Sequence, residues 1–403
     1  MSPARLSRLV VLTLLLLVGC VPAKQTTPTA PPQPPRPPEP KVQPLLPPPV
    51  VEGPRKVALL LPLSGNAAPI GQDMLDAAHL ALFESDASDL LLLPRDTASD
   101  PQTAKRAAAD ALAAGAELVL GPLFAASTSA VAPLARERGA LVLSFSNDAA
   151  VAGNGVFVLG FRPEEQIARI LAHAREQGWR RLGLLAPADA YGTVAVAAWR
   201  RELGGRGDPA AEAIGVYPAS GDPTAAVRAF LERHGGRGEG RPPELDAILL
   251  ADGGLRLRQV AALLAFFDLD RARTRLLGTR LWADDPAVLR DPALEGGRFA
   301  APDPTAEAAF RERFRAAFGR EPVPLAALAF DGVRLVATLL AAGRPLAEEA
   351  LLDPRGFPGV LGPFRLRPEG VAEHALAILQ TSREGPVVVE PAPARFPPAL
   401  ARR

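Results

Sequence analysis

The chain has 403 residues and a formal net charge of +1 at pH 7, with 48% hydrophobic and 5% aromatic residues. A chain of this length exceeds one simple hydrophobic core and predicts two or three domains. The balanced charge lacks the basic excess of nucleic-acid-binding proteins, so we expect no nucleic-acid partner. Cys20 is the only cysteine, which excludes an intramolecular disulfide.

Residues 1–20 have the features of a targeting segment. Two arginines precede Leu9–Val18, an apolar run that is too short to span a bilayer as a mature helix. The motif Leu17-Val18-Gly19-Cys20 resembles the lipobox of bacterial lipoproteins. The resemblance implies a signal peptide over 1–20 and a periplasmic protein anchored to the membrane by a lipid on Cys20. Val21 in place of aspartate implies sorting to the outer membrane. The alternative is an ordinary secretory signal with an incidental cysteine.

Residues 21–55 are predicted to be a linker. Proline runs such as Pro47-Pro48-Pro49 cannot donate backbone hydrogen bonds and favour extended polyproline II. We favour a spacer, and a proline-rich ligand for another domain is the alternative. The end of the chain, 391–403, is also proline-rich and is predicted to be a disordered tail.

The stretch Lys56–Gly71 predicts the start of an α/β unit. Val57–Leu61 is an unbroken apolar run, which is typical of a strand buried on both faces of a parallel sheet. A turn follows, and Gln72 opens an amphipathic helix. Loops at the carboxyl ends of parallel strands build ligand crevices, so Leu63–Gly65 is a first candidate site. The alternative is an ordinary strand-to-helix turn.

Strands and helices alternate along the rest of the chain. The first predicted series has strands Val57–Leu61, Leu90–Leu93, Leu118–Leu120, Leu141–Ser144 and Val156–Gly160, with helices from Gln72, from Asp100-Pro101 to about Gly115, and over Ala126–Arg138. The second has helix Pro163–Gln177, strands Arg181–Ala186, Ala213–Val216, Ala247–Leu250 and Leu276–Gly278, and helices ending near Leu203, starting at Asp222-Pro223, and over Arg256–Phe267. From Asp284 the chain is more helical, with helices Thr305–Phe318 and Ala326–Ala341 and strands at Gly297–Ala300, Phe364–Arg367 and Leu376–Gln380. This alternation predicts an α/β fold with parallel sheets.

Several short motifs, taken in order, resemble the type I periplasmic binding proteins of the branched-chain amino-acid receptor group. They are Pro62-Leu63-Ser64-Gly65, Leu120-Gly121-Pro122, Leu143-Ser144, Tyr191-Gly192, Phe330-Asp331-Gly332 and Gly362-Pro363-Phe364. The resemblance implies a two-lobed Venus-flytrap fold over 56–390, with parallel sheets in both lobes and three crossings between them. It places about 56–162 and 284–342 in lobe 1, and about 163–283 and 343–390 in lobe 2.

A narrower resemblance rests on the motifs Phe145-Ser146-Asn147-Asp148, Val156-Phe157-Val158 and Leu185-Ala186-Pro187. They are similar to those of the penicillin-binding protein activator lipoproteins, which sit on the outer membrane and stimulate peptidoglycan synthases. Well-known activators carry an extra helical-repeat domain before the binding-protein domain. Here the proline-rich linker occupies that place, so the sequence departs from the family pattern.

The resemblance to amino-acid receptors implies a ligand cleft between the lobes. The candidate cleft residues are Leu63, Ser64, Gly65, Leu123, Phe124, Ala125, Ser144, Ser146, Asn147, Asp148, Tyr191, Gly253 and Arg280. Ala125 and Asp148 stand where those receptors carry hydroxyl groups for the ligand carboxylate, although Ser127 and Thr128 lie close to Ala125. Arg280 stands in place of the acid for the ammonium, and Gly253 or Gly254 in place of an aromatic residue. These positions argue against a standard amino-acid pocket.

The sequence offers little for catalysis. The four histidines are scattered, and neither a His-Glu-x-x-His motif nor paired cysteines occur. Asp284-Asp285 is more typical of a helix cap than of an acid pair. We therefore expect no enzyme, no cofactor and no metal site.

Three functions remain open at this point. The first is a lipoprotein that regulates peptidoglycan synthesis by binding a penicillin-binding protein. The second is a substrate-binding protein of a branched-chain amino-acid-type ABC transporter, with a small-molecule ligand in the cleft. The third and weakest is an exported hydrolase. The membrane anchor expected at Cys20 favours the first, because a transport receptor in such an envelope is usually free in the periplasm.

Overall fold

The computed structural model describes residues 53–85, 87–205, 207–235, 245–393 and Phe396. The predicted signal peptide with Cys20, nearly all of the linker and most of the tail lie outside these residues. Among the described helices, none is long and apolar enough to cross a membrane.

The described strands fall into three sheets. In chain order they are β1 Arg55–Leu61, β2 Leu90–Asp96, β3 Leu118–Leu120, β4 Leu141–Ser144, β5 Val156–Val158, β6 Leu182–Pro187, β7 Ile214–Tyr217, β8 Ala247–Leu250, β9 Arg275–Gly278, β10 Arg298–Ala301, β11 Phe364–Leu366, β12 Ala372–His374, β13 Ala377–Gln380 and β14 Val387–Glu390. The sheet orders are β2-β1-β3-β4-β5, β14-β13-β10-β9-β8-β6-β7, and the pair β11-β12.

The described α-helices pack on both faces of the two large sheets. They are α1 Ala68–Phe83, α2 Pro101–Ala113, α3 Ala125–Glu137, α4 Pro163–Glu176, α5 Ala190–Gly204, α6 Thr224–His234, α7 Gly254–Phe266, α8 Pro286–Leu289, α9 Pro304–Phe318, α10 Ala326–Ala341 and α11 Glu348–Leu351.

Lobe 1 is built on the all-parallel sheet of β1 to β5. Side chains alternate between its faces, because successive residues of a strand point to opposite sides. Val57, Leu59 and Leu61 face a core shared with α1, α9 and α10. Ala58 and Leu60 face a second core shared with α2 and α3. The apolar run of β1 is thus buried on both faces, as its sequence predicted.

Lobe 2 is built on the seven-stranded sheet. This sheet is mixed, whereas the sequence predicted a parallel one. Strands β6 to β10 run parallel, whereas β13 pairs antiparallel with both β10 and β14. Helices α4 and α5 cover one face and α6 and α7 cover the other. The antiparallel strands β13 and β14 join one edge of this sheet after the chain has returned from lobe 1.

The chain passes between the lobes at 159–162, 302–303 and 375–376. The second and third crossings lie later in the chain than the predicted boundaries near 284 and 343. Residues 284–301 belong to lobe 2, because β10 hydrogen-bonds to β9 and β13. Residues 343–374 belong to lobe 1, where Leu346, Leu351 and Phe364 join the core around α10. Both differences arise from pairings that are distant in sequence.

Helix starts follow local chemistry closely. Asp100 caps α2, as predicted, because its carboxylate accepts a 2.6 Å hydrogen bond from Thr103 N. Helix α1 starts at Ala68, four positions before the predicted Gln72, since Pro69 is tolerated in a first turn. Gly71 is required there, because a Cβ at this position would lie 2.1 Å from the Pro62 carbonyl oxygen.

The described end of the chain was not anticipated by the sequence. Strand β14 forms an edge of the lobe 2 sheet, although its residues were not predicted as a strand. Phe396, inside the tail predicted to be disordered, is only 9% exposed. The Arg365 guanidinium carbon lies 4.5 Å from the centroid of its ring. Phe396 therefore packs against lobe 1, whereas β14 lies in lobe 2.

Candidate functional site

A cavity of about 360 Å³ lies between the two lobes. Its lining residues are Ile70, Leu123, Phe124, Phe145, Ser146, Asn147, Gly160, Phe161, Pro163, Gln166, Tyr191, Arg280, Leu281, Asp284, Pro324, Leu325, Leu328 and Leu361. Loops at the carboxyl ends of parallel strands contribute from both lobes, which is the usual place for ligands in such sheets. The volume is within the range of small-molecule sites. We call this cavity the cleft.

Leu123 and Phe124 reach the cleft through the turn after β3. Gly121 has a φ of +88°, and a Cβ there would lie 2.3 Å from the Leu60 carbonyl oxygen. Only glycine fits this approach to the neighbouring strand without displacement. The turn then directs the chain into α3 with Leu123 and Phe124 on the cleft side.

The hydroxyl groups of Thr128 and Ser144 bond to the loops and do not face the cleft. Ser144 Oγ lies 2.7 Å from Thr128 Oγ1 and donates a 3.1 Å hydrogen bond to the Pro122 carbonyl oxygen. Both side chains are fully buried. Asp148 caps a short 3₁₀ helix, since its Oδ1 accepts from Ala150 N at 2.9 Å. Ser144 and Asp148 therefore do not line the cleft, whereas their neighbour Asn147 does.

The turn Leu63–Gly65 is tied to β2 and does not line the cleft. Asp96 Oδ1 accepts hydrogen bonds from Leu63 N at 2.8 Å and from Ser64 N at 3.1 Å. Burial of the Asp96 carboxyl opposes its ionisation, but hydrogen bonds from Ser64, Ala98 and Leu63 together lower its pKa. The carboxylate thus fixes the turn. Ala125 and Gly253, two other predicted cleft residues, begin α3 and cap α7 and are not among the lining residues.

Arg280 joins the two lobes across the cleft. Its Nη1 lies 3.3 Å from Asp284 Oδ1 within lobe 2, and its Nη2 lies 3.7 Å from Glu307 Oε1 on α9 of lobe 1. Its backbone N donates a 2.9 Å hydrogen bond to Gln166 Oε1, and its guanidinium carbon lies 5.5 Å from the Phe161 ring centroid. The cation of the cleft is therefore paired with two carboxylates of the protein.

Tyr191 contributes a neutral phenol to the cleft wall. Its hydroxyl donates a 2.7 Å hydrogen bond to Thr279 Oγ1. Burial raises the pKa of Tyr191 above its ordinary value, and the Asp284 and Asp252 carboxylates raise it further. Tyr191 lies at the start of α5, which Asp189 caps by accepting from Gly192 N at 2.8 Å. The phenol therefore stays protonated and already has a protein acceptor.

The structure thus brings some predicted residues to the cleft and leaves others outside it. Those in the lining are Leu123, Phe124, Ser146, Asn147, Tyr191 and Arg280. Sequence reasoning missed Asp284, which was grouped with Asp285 as a helix cap. Asp285 does cap α8, accepting from Ala287 N at 2.8 Å, whereas Asp284 faces the cleft. Phe161 and Gln166 were also missed; their place at the first crossing is the signal that could have identified them.

One group of possible metal ligands lies away from the cleft. The ligand atoms of His173, Glu176 and Glu390 lie within 4.8 Å of one another. Two arginines already occupy the group: Arg169 donates to Glu390 at 2.5 Å, and Arg298 Nη1 lies 3.0 Å from His173 Nε2. Burial and the neighbouring arginines lower the pKa of His173, against the opposing effect of Glu390. These cations would repel a metal ion, so the group supports no metal assignment.

Solved structures of substrate-binding proteins have a similar fold. A putative branched-chain amino acid ABC transporter protein from Rhodospirillum rubrum matches with a TM-score of 0.70 and 18% identity, over 83% of this chain and 100% of that one. An ABC transporter substrate-binding protein from Sphaerobacter thermophilus matches with a TM-score of 0.63 and 20% identity, over 86% and 98% of the two chains. At these identities the likeness concerns the fold alone.

A domain of a protein described as a regulator of PBP1A also has a similar fold. The C-domain of LpoA (YraM) from Haemophilus influenzae, described as a regulator of PBP1A, matches with a TM-score of 0.64 and 17% identity, over 83% of this chain and 99% of that one. Among curated proteins, an uncharacterized protein of Rickettsia prowazekii (strain Madrid E) is 28% identical over 116 residues, which are 29% of this chain. The match spans only 31% of that relative's length.

The family itself follows from the match along most of the chain. A family model described as periplasmic binding protein matches residues 54–386, which include both lobes and the cleft. Members of this family are non-enzymatic, ligand-binding proteins, and they are periplasmic or otherwise extracytoplasmic. The chain therefore belongs to the periplasmic binding protein family.

Proposed function

We propose that this protein is anchored to the outer membrane by a lipid on Cys20 and regulates peptidoglycan synthesis by docking on a penicillin-binding protein. The observation that carries the proposal is the pairing of Arg280, which lines the cleft, with Asp284 beside it and with Glu307 on α9 of the other lobe. A transport receptor keeps its charged groups free for the solute, whereas this cleft uses them to hold its own lobes together.

An α-amino acid would find few free partners in this cleft. Its carboxylate needs hydroxyl or N–H donors, and its ammonium needs an acid. The hydroxyls of Thr128 and Ser144 are bonded to each other and to loop carbonyl oxygens. The Arg280 guanidinium is shared between two carboxylates. A bound zwitterion would have to break these contacts, so we infer that amino-acid delivery is not the main role.

Two further features support a role in the cell wall. The LpoA C-domain, described as a regulator of PBP1A, shares the fold over 99% of its length. The Cys20 motif and the linker predicted over 21–55 would tether the domain at a distance from the membrane. A polyproline II linker of about 35 residues would extend roughly 100 Å, and a flexible one would average about 35 Å. Either reach favours action near the cell-wall layer.

The direct test combines binding with synthesis. The full lipidated chain in detergent is mixed with each penicillin-binding protein of the same cell, and affinity and glycan polymerisation are measured. We expect micromolar or tighter binding to one of them and a faster polymerisation rate with that enzyme. Absence of binding to every one at micromolar concentrations would reject the proposal. A chain with a much shorter linker should still bind in solution but lose its function in cells.

The second candidate function is solute capture for an ABC transporter. Asp284 lines the cleft beside Arg280, so an acid and a cation do lie together there. Thermal unfolding with Leu, Ile, Val, Glu and Ala tests it, because a ligand at 1,000 times its Kd stabilises the folded state by about 4 kcal/mol. We expect no rise in melting temperature. A rise of several degrees, confirmed by calorimetry, would favour transport.

A further inference from the structure

The walls of the cleft are mostly apolar. Phe124 and Leu325 both line it, and they are 38% and 39% exposed, which is high for large hydrophobic side chains. Phe161, Leu328 and Leu361 extend the apolar surface around them. A ligand that covers this surface would gain from removing it from water. The body of a matching ligand is therefore apolar.

The charged groups that meet at Arg280 are already paired with one another, with one negative charge in excess. One guanidinium and two carboxylates meet at Arg280, whose side chain is only 16% exposed. An anionic ligand would be repelled by Asp284, which lines the cleft beside the guanidinium. A cationic ligand would compete with Arg280 for both carboxylates and lie beside it. Burying any further unpaired charge in this surrounding is costly, so each kind of charged ligand is disfavoured.

Among the described residues that line the cleft, two side-chain groups have no hydrogen-bond partner. Within the described residues, Arg280 Nε is buried and has no acceptor. The Asn147 side chain lines the cleft and is exposed, and an amide can both donate and accept. In contrast, the Tyr191 hydroxyl donates to Thr279, and Gln166 Oε1 accepts from Arg280 N. Both of these groups can donate a hydrogen bond. They therefore favour a ligand that carries an acceptor, such as a carbonyl oxygen.

We propose that the cleft binds an uncharged, largely apolar small molecule that carries a carbonyl group, with Arg280 held by Asp284 and Glu307 as the residue that rejects charged ligands. The carbonyl oxygen accepts from the Asn147 amide, which lines the cleft. This inference goes beyond the proposed function, since it concerns the ligand of the cleft and not the partner of the lobes.

Four probes share a phenylpropyl-type body and differ in the charge of the head group, so they test which ligand charge the cleft accepts. They are 3-phenylpropanamide, 3-phenylpropanoate, 3-phenylpropylamine and phenylalanine, measured by calorimetry on the full chain in detergent. We expect the neutral amide to bind about tenfold or more tightly than each charged probe, the difference expected for one uncompensated buried charge. A charged probe that binds as tightly as the amide, or no binding by any probe, would overturn the proposal.

A double substitution tests the role of the ion pairs. Asp284→Asn with Glu307→Gln leaves the shapes nearly unchanged and frees the Arg280 cation. We expect this variant to prefer 3-phenylpropanoate over the amide by about tenfold. The matched control is Glu212→Gln with Glu312→Gln, which makes the same change in net charge at side chains that are 76% and 71% exposed. The control should keep the wild-type preference for the amide.

Asn147→Ala completes the design. It should weaken binding of the amide several-fold while leaving the melting temperature of the ligand-free chain unchanged, because Asn147 is exposed. Unchanged binding of the amide would contradict the assigned contact. None of these measurements involves a penicillin-binding protein, so the ligand proposal and the docking proposal fail independently.

Discussion

The Glu165 carboxylate at the start of α4 accepts hydrogen bonds from the ring and the backbone of His374 at the end of β12, and so links the two lobes beside two of the crossings. Glu165 Oε1 lies 3.0 Å from His374 Nδ1, and Glu165 Oε2 accepts from His374 N at 3.1 Å. Glu165 Oε1 also accepts from Arg162 N at 3.1 Å. The two side chains are 7% and 4% exposed, so the pair is held out of water.

We expect His374→Ala to destabilise the protein by roughly 3 kcal/mol, because it leaves the buried Glu165 carboxylate without its main partner. The substitution also removes the stacking of His374 on Phe161, whose centroids are 4.0 Å apart. Urea unfolding of the described domain measures the change in free energy. Glu212→Ala is the control, since its pair with Arg200 is largely exposed and should matter little. Equal stability of His374→Ala and wild type would contradict the role of the pair.

Asp331 should make stability depend on pH. It is 5% exposed, and burial raises its pKa to about 7, against the effect of hydrogen bonds from Val360 N and Leu361 N. The folded-state pKa of Asp331 lies above the unfolded value of about 3.9. The contribution of Asp331 to the free energy of unfolding is therefore complete below pH 4 and is lost as pH rises through 7.

Asp331→Asn removes this titration. Relative to wild type, the free energy of unfolding of the variant should therefore increase from pH 4 to about 7 and then level off. The total increase should be on the order of a few kcal/mol. Guanidinium unfolding at a series of pH values measures it. A difference that is independent of pH would show that Asp331 does not titrate in this range.

Gly192 is the position in α5 where a side chain does not fit. A Cβ there would lie 1.8 Å from the Pro187 carbonyl oxygen at the end of β6. We expect Gly192→Ala to cost about 2 kcal/mol or more, because backbone must move to relieve the overlap. Gly204 ends the same helix, and a Cβ there would meet its nearest neighbour at 3.9 Å. Gly204→Ala should be neutral or slightly stabilising, and thermal unfolding of the two variants compares them.

Cys20→Ser should release the protein from the membrane fraction. A single acyl chain binds membranes only marginally, so stable anchoring requires the several chains of a bacterial lipoprotein. Metabolic labelling with a fatty acid, followed by fractionation, measures both lipidation and location. Wild-type protein that takes up no label, or that remains in the soluble fraction, would refute the anchor.

Local signals predicted the elements of the fold well. The apolar run at Val57–Leu61, the cap at Asp100 and the long helix Ala326–Ala341 all agree with the structure. The division of the lobes was wrong after the first crossing, because it depends on which strand β10 joins. That choice is made by hydrogen bonds to β9 and β13, and β13 lies about 80 residues later in the chain.

The cleft could be predicted from the sequence only in part. Rules for the carboxyl ends of strands lead to Phe124, Asn147 and Arg280, which follow β3, β4 and β9. The lining also includes Leu325 and Leu361, which stand in no such loop. They reach the cleft because α10 and the segment after α11 pack on lobe 1. Nothing local in the sequence distinguishes them from ordinary core residues.

The interleaving of the lobes has a consequence for the order in which they fold. The lobe 1 sheet is complete once Val158 has been made, yet the helix that covers much of one face, α10, begins only at Ala326. During synthesis and export, the apolar residues of that face are covered by α1 but lack α10 for more than 160 residues of chain. Lobe 1 therefore depends on late parts of its own sequence, and a shortened chain that ends before α10 would present the uncovered part of that apolar face to chaperones and proteases.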